Sequence, residues 1–343
     1  MMWKRLLLLG VVASCAVGAT TAFAAVDRPR PVRAVGDQRL VVNTPDGTGQ
    51  LPMYASENWT SAHPGITRVI VVVQGLNRNA EYDFRSARKE LQDVGEAGAH
   101  TMIIVPHFLA DEDIPAHNLG DEVLHWSWDD WGGGAAANGP IPASSFDAFD
   151  AILTRLADKA AYPDLRNVVV AGHSAGAQVV QRYAVVGKGQ ARLDARGVGV
   201  RYVVANPSSY LYFGEARPYG DIRTCPNLNR WRYGFASGVP PYVTMSQADL
   251  EKRYIARDVI YLLGTADNNP DHPQLDKSCA AEVQGPFRYA RGIGYLKMLK
   301  QRNGAAVTHR ELDVPGIGHD SAGMFGSACG RATWFNVPGC PGF

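Results

Sequence analysis

A chain of 343 residues that is 46% hydrophobic and 20% charged has the profile of a folded protein with one large or two modest domains. Its 34 Lys and Arg against 33 Asp and Glu give a formal net charge of +1, and no basic block stands out. Composition thus excludes a disordered or fibrous chain and gives no reason to expect a nucleic-acid partner.

The first residues carry Lys4 and Arg5, then an apolar run, then small residues with Ala22-Phe23-Ala24 before Ala25. That order predicts a secretory signal peptide over residues 1–24, cut after Ala24, and hence a secreted or periplasmic protein with no stable membrane insertion. Two other readings stand beside it. The apolar stretch from Leu6 to Val26 is long enough to span a bilayer, although its second half is Gly, Ala and Thr. Val12-Ala13-Ser14-Cys15 also loosely resembles a lipoprotein box, in which Cys15 would be lipidated.

Cleavage removes Lys4 and Arg5 and no acid, which leaves 32 basic against 33 acidic residues and a net charge of −1. It also removes Cys15, leaving Cys225, Cys279, Cys329 and Cys340. An even number in an exported chain predicts two disulfides. Of the three pairings, Cys225 with Cys279 and Cys329 with Cys340 is expected, because the second closes a short Gly/Pro-containing terminal loop. No C-x-x-C spacing argues for a metal instead.

Residues 39 to 44 (RLVVNT) and 51 to 55 (LPMYA), joined by the turn-like PDGTGQ, predict an opening hairpin. Further strands are expected at 67–75 (TRVIVVVQG), 100–108 (HTMIIVPHF), 167–174 (NVVVAGHS), 200–208 (VRYVVANPS), 258–267 (DVIYLLGTAD) and 307–316 (VTHRELDVPG). Runs such as VIVVV are apolar at every position, so both faces should be covered, as in a parallel sheet between helices. Helices are expected between them, at 81–97, 146–160, 175–187, 247–256, 286–303 and near 320. Alternating strands and helices make one α/β domain over residues 25–343 and direct attention to the carboxyl ends of the strands. Two Gly/Pro/Trp-rich insertions, 109–145 and 207–246, read as excursions over that mouth.

At one strand end stands Gly172-His173-Ser174-Ala175-Gly176, a G-x-S-x-G element. By itself it is weak evidence, since a serine before a helix commonly only caps it. A buried-type strand before it and a helix after it make it specific, because a tight strand-to-helix turn requires small residues and lifts the serine hydroxyl clear. A hydroxyl needs a base, and the base an orienting acid. Asp267 lies just past the strand ending in Gly264-Thr265-Ala266, and His319 follows the last strand in the glycine-rich loop Val314-Pro315-Gly316-Ile317-Gly318.

On these residues, in the order Ser174, Asp267, His319, the chain from residue 39 to 327 resembles the α/β-hydrolase-fold serine hydrolases, with general similarity to secreted esterases and polyester depolymerases. The resemblance implies a central, mostly parallel eight-stranded sheet, with the nucleophile after the fifth strand, the acid after the seventh and the histidine after the eighth. It implies an oxyanion hole of two backbone N–H groups, one from Ala175 and one from Leu76 or Asn77, after the third strand. It implies no cofactor. Gln74-Gly75 stands where family members often carry His-Gly, which leaves the choice between Leu76 and Asn77 open.

Rival readings of the same residues remain. The run ADNNPD, with Asp267 and Asp271, is also a possible calcium-type oxygen site. The sixth strand ends in Asn206-Pro207, so the alternative acid position of some relatives holds no carboxylate. His309 and His173 read as structural, with His173 pointing away from the mouth. Trp126, Trp128 and Trp131 either line a substrate groove or form a satellite core, and Tyr210 and Tyr212 carry the same ambiguity. The sequon Asn58-Trp59-Thr60 reads as incidental beside a bacterial-looking export signal.

The expected activity is hydrolysis of a small or polymeric carboxylic ester through an acyl-serine. The alternatives are an amidase or peptidase using the same triad, and a catalytically silent binding protein of the same fold.

Overall fold

The computed structural model describes residues 30–343. The expected signal peptide, its cleavage point and the Cys15 box lie outside the described residues, as does the apolar stretch read as a possible anchor. Among the described residues no helix is long and apolar enough to cross a membrane.

Eight strands form one sheet: β1 (Gln38–Thr44), β2 (Gly47–Ala55), β3 (Arg68–Val73), β4 (Thr101–Pro106), β5 (Asn167–His173), β6 (Gly199–Ala205), β7 (Asp258–Gly264) and β8 (Arg310–Val314). Their order is β1-β2-β4-β3-β5-β6-β7-β8. β2 runs antiparallel to both neighbours, and every other pairing is parallel. The edge strand β1 alternates, burying Leu40 and Val42 while Val41 is exposed, whereas β4 is buried at every residue. That contrast follows from coverage, since only the interior strands have apolar layers on both faces.

On one face Val69, Val71 and Val73 pack against α2 (Ser145–Leu156), α3 (Ala175–Val186), α4 (Gln247–Ile255) and α5 (Arg288–Asn303). On the other, Ile70 and Val72 meet α1 (Ala80–Asp93), α6 (Ser321–Gly326) and α7 (Ala328–Phe335). Each fully buried Val or Leu is worth roughly 1.5–3 kcal/mol, so the two layers rather than helix propensity hold these segments. α2 shows the local logic. Ser144 and Asp147 cap its start reciprocally, and Phe146, Phe149, Ile152, Leu153 and Leu156 then recur at helical spacing on its buried side.

Most elements end within a few residues of expectation, α2 stopping at Leu156 and β7 at Gly264, and two differences have a visible form. α1 stops at Asp93 rather than continuing to 97, because Gly95 takes φ +56 and a single 3-10 turn, Gly95–Gly98, follows. β8 is shorter than the stretch from 307 to 316, covering Arg310–Val314. Both disulfides form as expected, Cys225–Cys279 and Cys329–Cys340. The first ties the second insertion to the segment that follows β7.

Candidate active site

The turn from β5 into α3 is possible only with glycine on either side of the serine. A Cβ on Gly172 would lie 2.4 Å from the carbonyl carbon of Gly176, and one on Gly176 would lie 2.3 Å from the Val73 carbonyl oxygen. Ser174 itself has φ +57 and ψ −122, a region in which a non-glycine residue is strained by roughly 1–3 kcal/mol. Its side chain caps nothing in α3. Instead its hydroxyl lies 2.9 Å from Nε2 of His319.

His319 arrives from the loop after β8, where Gly316 takes φ +74. That loop packs on the end of β7, whose Gly264 leaves room: a Cβ there would meet the Ile317 carbonyl at 2.4 Å. Asn206, at the end of β6, joins the two loops. Its Oδ1 accepts the Gly264 N–H at 3.0 Å and its Nδ2 donates to the Gly318 carbonyl at 3.4 Å. The position without a carboxylate is thus a brace between the Asp267 and His319 loops. Asp267 is 3% exposed, and its Oδ2 accepts from Nδ1 of His319 at 2.7 Å. With Nδ1 donating to an acceptor-only carboxylate, Nε2 is left to accept the Ser174 O–H.

Arg288 is the residue that sequence reasoning missed. It opens α5, is fully buried, and places Nη1 3.4 Å from Asp267 Oδ1. Nε donates to Ser208 Oγ at 3.2 Å and Nη2 to the Gln274 carbonyl at 2.8 Å. Burial lowers its pKa, and Asp267 opposes that. A cation in the first turn of a helix runs against the macrodipole, and that was the one signal available in the sequence.

The calcium-type reading of ADNNPD is not what the side chains do. Asp271 is exposed, whereas Asp267 is buried with its oxygens divided between His319 and Arg288. His173, Asp267 and His319 bring potential ligand atoms within 4.8 Å of one another. Both His319 nitrogens are already hydrogen-bonded, however, and the Arg288 guanidinium beside Asp267 disfavours a second cation there. His173, expected to point away from the mouth, abuts His319 with ring centroids 4.5 Å apart. Burial foremost, then the neighbouring His319 and Arg288, holds its pKa well below the ordinary value, so it is neutral. His309 is buried inside the fold, with Nε2 donating to the Tyr254 carbonyl at 2.8 Å and Nδ1 3.0 Å from the Tyr261 hydroxyl.

A cavity of about 340 Å³ opens beside Ser174, with Leu76, Trp131, Gln178, Arg182, Arg232 and Tyr233 among its walls. A larger apolar cavity of about 470 Å³, between Phe213 and Met298, is lined by no serine, cysteine or histidine. Leu76 and Ala175 line the Ser174 cavity, while Asn77 is exposed and does not. Among the described residues neither the Ala175 N–H nor the Leu76 N–H has a protein acceptor. Gln74 is buried, and its Nε2 donates to the Phe108 carbonyl at 2.8 Å, which fixes the loop behind Leu76.

The three tryptophans of the first insertion separate. Trp126 lines no part of this cavity: it is buried edge-on against Phe108, with Nε1 donating to the Ala135 carbonyl at 3.1 Å. Trp131 stacks on the same Phe108 ring at 5.3 Å and reaches the cavity wall. Trp128 is 44% exposed and also outside the lining. Of the three, Trp131 lines this cavity, whereas Trp126 packs as the satellite-core reading describes and Trp128 stands outside it. Tyr210 and Tyr212 are core residues packed on Tyr295.

The two insertions clasp each other over the cavity. Arg232 binds Asp129 at 2.7 Å and Asp130 at 3.0 Å, and Trp231 Nε1 donates to the Gly133 carbonyl at 2.6 Å.

No protein-family model matches the sequence, and no curated protein matches it. Solved structures do. Poly(aspartic acid) hydrolase-1 from Sphingomonas sp. KT-1 superposes with a TM-score of 0.55 at 21% identity, over 84% of this chain and 95% of that one. LpqC, a poly(3-hydroxybutyrate) depolymerase from Bordetella parapertussis, gives a TM-score of 0.57 at 23% identity, over 86% of each chain. With the sheet order, the serine turn and the strand-end loops described above, these likenesses establish that the chain has the α/β-hydrolase fold.

Proposed function

We propose that this protein is an exported serine hydrolase that cleaves a carboxylic ester through an acyl-serine intermediate. The observation that carries the reading is the hydrogen-bond chain from Ser174 through His319 to Asp267, at 2.9 and 2.7 Å. Ser174 Oγ attacks the ester carbonyl as His319 Nε2 takes its proton, and Asp267 holds the imidazole and the positive charge it acquires. The oxyanion is held by the N–H groups of Ala175 and Leu76, each donor typically worth 10²–10³ in kcat. Leu76 is preferred to Asn77 because it faces the cavity. His319 then returns the proton to the leaving alkoxide, water adds to the acyl-serine, and the acid departs.

Export is supported by the leader-like residues 1–24 and by two disulfides, which persist in oxidising compartments. Polymer substrates are in the names of both solved relatives. A cavity of about 340 Å³ suits one small acyl unit, so a polymer would enter by a chain end or a short exposed stretch.

Ser174→Ala is the test. It is expected to lower kcat on a p-nitrophenyl ester by more than about 10³-fold while leaving the melting temperature unchanged, and a fluorophosphonate probe should label wild type at Ser174 alone. Activity surviving in that variant would overturn the reading. Absence of labelling in folded wild type would favour the silent binding protein, and faster turnover of a matched amide than of the ester would favour an amidase.

A further inference from the structure

We propose that Arg288 is a positioning residue of this triad: it holds the Asp267 carboxylate by the oxygen that His319 does not use, and so fixes the plane of the group that orients the imidazole. The inference rests on the serine-hydrolase reading above.

Arg288 occupies a position that is costly for a cation. It is the first residue of the 16-residue α5, where the helix dipole repels positive charge, and its side chain is 0% exposed. Such a charge persists only where specific partners offset both penalties. The partners are Asp267 Oδ1, Ser208 Oγ, the Gln274 carbonyl and His272 Nδ1.

From the side of Asp267 the pairing has a geometric meaning. Among the described residues, the side-chain oxygens of Asp267 receive hydrogen bonds only from His319, on Oδ2, and from Arg288, on Oδ1. A carboxylate held at one oxygen can pivot about that bond; held at both, its plane is fixed. Arg288 lines no part of the Ser174 cavity, so its influence on reaction passes through Asp267 rather than through substrate.

The electrostatic consequence follows from what surrounds His319. Asp267 lies at Nδ1 and Ser174 at Nε2. The His173 ring, from the end of β5, is 4.5 Å away, and the His272 ring, from the segment after β7, is 4.9 Å away. Asp320, the next residue, is turned to cap α6 through Ala322 N–H at 3.1 Å. Burial, assisted by Arg288 and His319, lowers the pKa of both His173 and His272 and disfavours a charge on either ring, and His272 Nδ1 also lies 3.5 Å from Arg288 Nη2. The charge that opposes an imidazolium at 319 is then the Arg288 guanidinium, which draws on the same carboxylate. Arg288 thus trades part of the support that Asp267 gives the imidazolium for a fixed carboxylate.

A purely structural role is the competing account, because Arg288 also pins the segment around Gln274. The two accounts part in pH–rate profiles of kcat/KM and kcat on a p-nitrophenyl ester. Arg288→Gln removes the charge. Its acid limb is expected to move up by about one pH unit, with kcat reduced and KM within twofold of wild type. Arg288→Lys keeps the charge and loses the planar fork, so its acid limb should stay in place while kcat falls about tenfold at constant KM.

A folded Arg288→Gln with an unmoved acid limb would overturn the proposal, as would an Arg288→Lys with wild-type kcat. If Arg288→Gln does not fold, the Lys variant decides. Ser174→Ala assayed alongside separates the two levels: residual activity there sinks the hydrolase reading, whereas an inactive Ser174→Ala beside indifferent Arg288 variants sinks only the role of Arg288.

Discussion

The floor and the roof of the Ser174 cavity are built by different means. The floor is backbone held in narrow passages. Gly172, Gly176 and Gly264 each lie where a Cβ would strike main-chain atoms of another segment, at 2.4, 2.3 and 2.4 Å respectively. The roof is irregular chain held by buried cations that donate to carbonyl oxygens. Arg182 donates to the Gly132 and Arg232 carbonyls, and Arg217 to those of Gly214, Ala216, Leu228 and Tyr233. Neither arginine has a carboxylate partner among the described residues. A floor of this kind admits one residue type at a few positions, whereas such a roof needs a long donor-rich side chain that reaches several carbonyls at once.

The largest expected effect breaks the floor. Gly176→Ala places a methyl 2.3 Å from the Val73 carbonyl oxygen and 2.7 Å from that of Gln74, and backbone cannot step aside as a side-chain tip can. We expect a loss of more than about 3 kcal/mol, seen as insoluble protein or a collapsed melting temperature. Gly75→Ala, two residues beyond Val73, is the control: its Cβ would meet nothing within 4 Å and the variant should fold. Equal stability of the two variants would mean that steric closure of the elbow does not define the floor.

The roof should fail more mildly and separately. Arg182→Met leaves the Gly132 carbonyl without its donor at 2.7 Å, and each such orphan costs about 1–3 kcal/mol. Loss of a buried, carboxylate-free cation returns part of that. We expect a melting temperature lowered by several degrees and KM raised about tenfold, with fluorophosphonate labelling of Ser174 retained. Labelling lost in the folded variant would show that floor and roof are one unit.

This difference also explains what could be read from the sequence. The strand runs, the glycine-flanked Ser174 and the glycine-rich loop to His319 are local patterns, each with a local cause. The order in which they occur puts Ser174, Asp267 and His319 just past the carboxyl ends of β5, β7 and β8. Arg288 and Arg182 carry no such pattern, since the groups that hold them, Asp267, Gln274 and Ser208 for the one and the Gly132 carbonyl for the other, lie 14 to 80 residues away. The tryptophans were only half legible for the same reason. Trp126 and Trp131 both pack on Phe108, contributed by the chain just after β4, yet Trp131 alone of the three lines the cavity, a difference of tertiary packing and not of local pattern.

The smallest expected effect tells floor from roof by pH. Asp83, on α1, lies beside the Gly75 backbone that precedes Leu76, and its carboxyl is pushed up to about 7. Burial is the main cause and Glu81 adds to it, while the Gly75 amide works in the opposite direction. In the unfolded chain an aspartate titrates near about 3.9. The native state therefore binds the proton more tightly, so the stability this group contributes is complete below about pH 4 and is lost as pH rises through about 7. Asp83→Asn cannot ionise. Its melting temperature should match wild type near pH 4 and exceed it by a few degrees at pH 8. Arg182 in the roof offers no counterpart in that window, because burial brings it down only to about 9 and its charge is constant below that. Melting curves of the two proteins that stay parallel from pH 4 to 8 would remove Asp83 from the account. A gap that opens in wild type but is absent in Asp83→Asn would locate the pH-sensitive part of the cavity under the Leu76 loop.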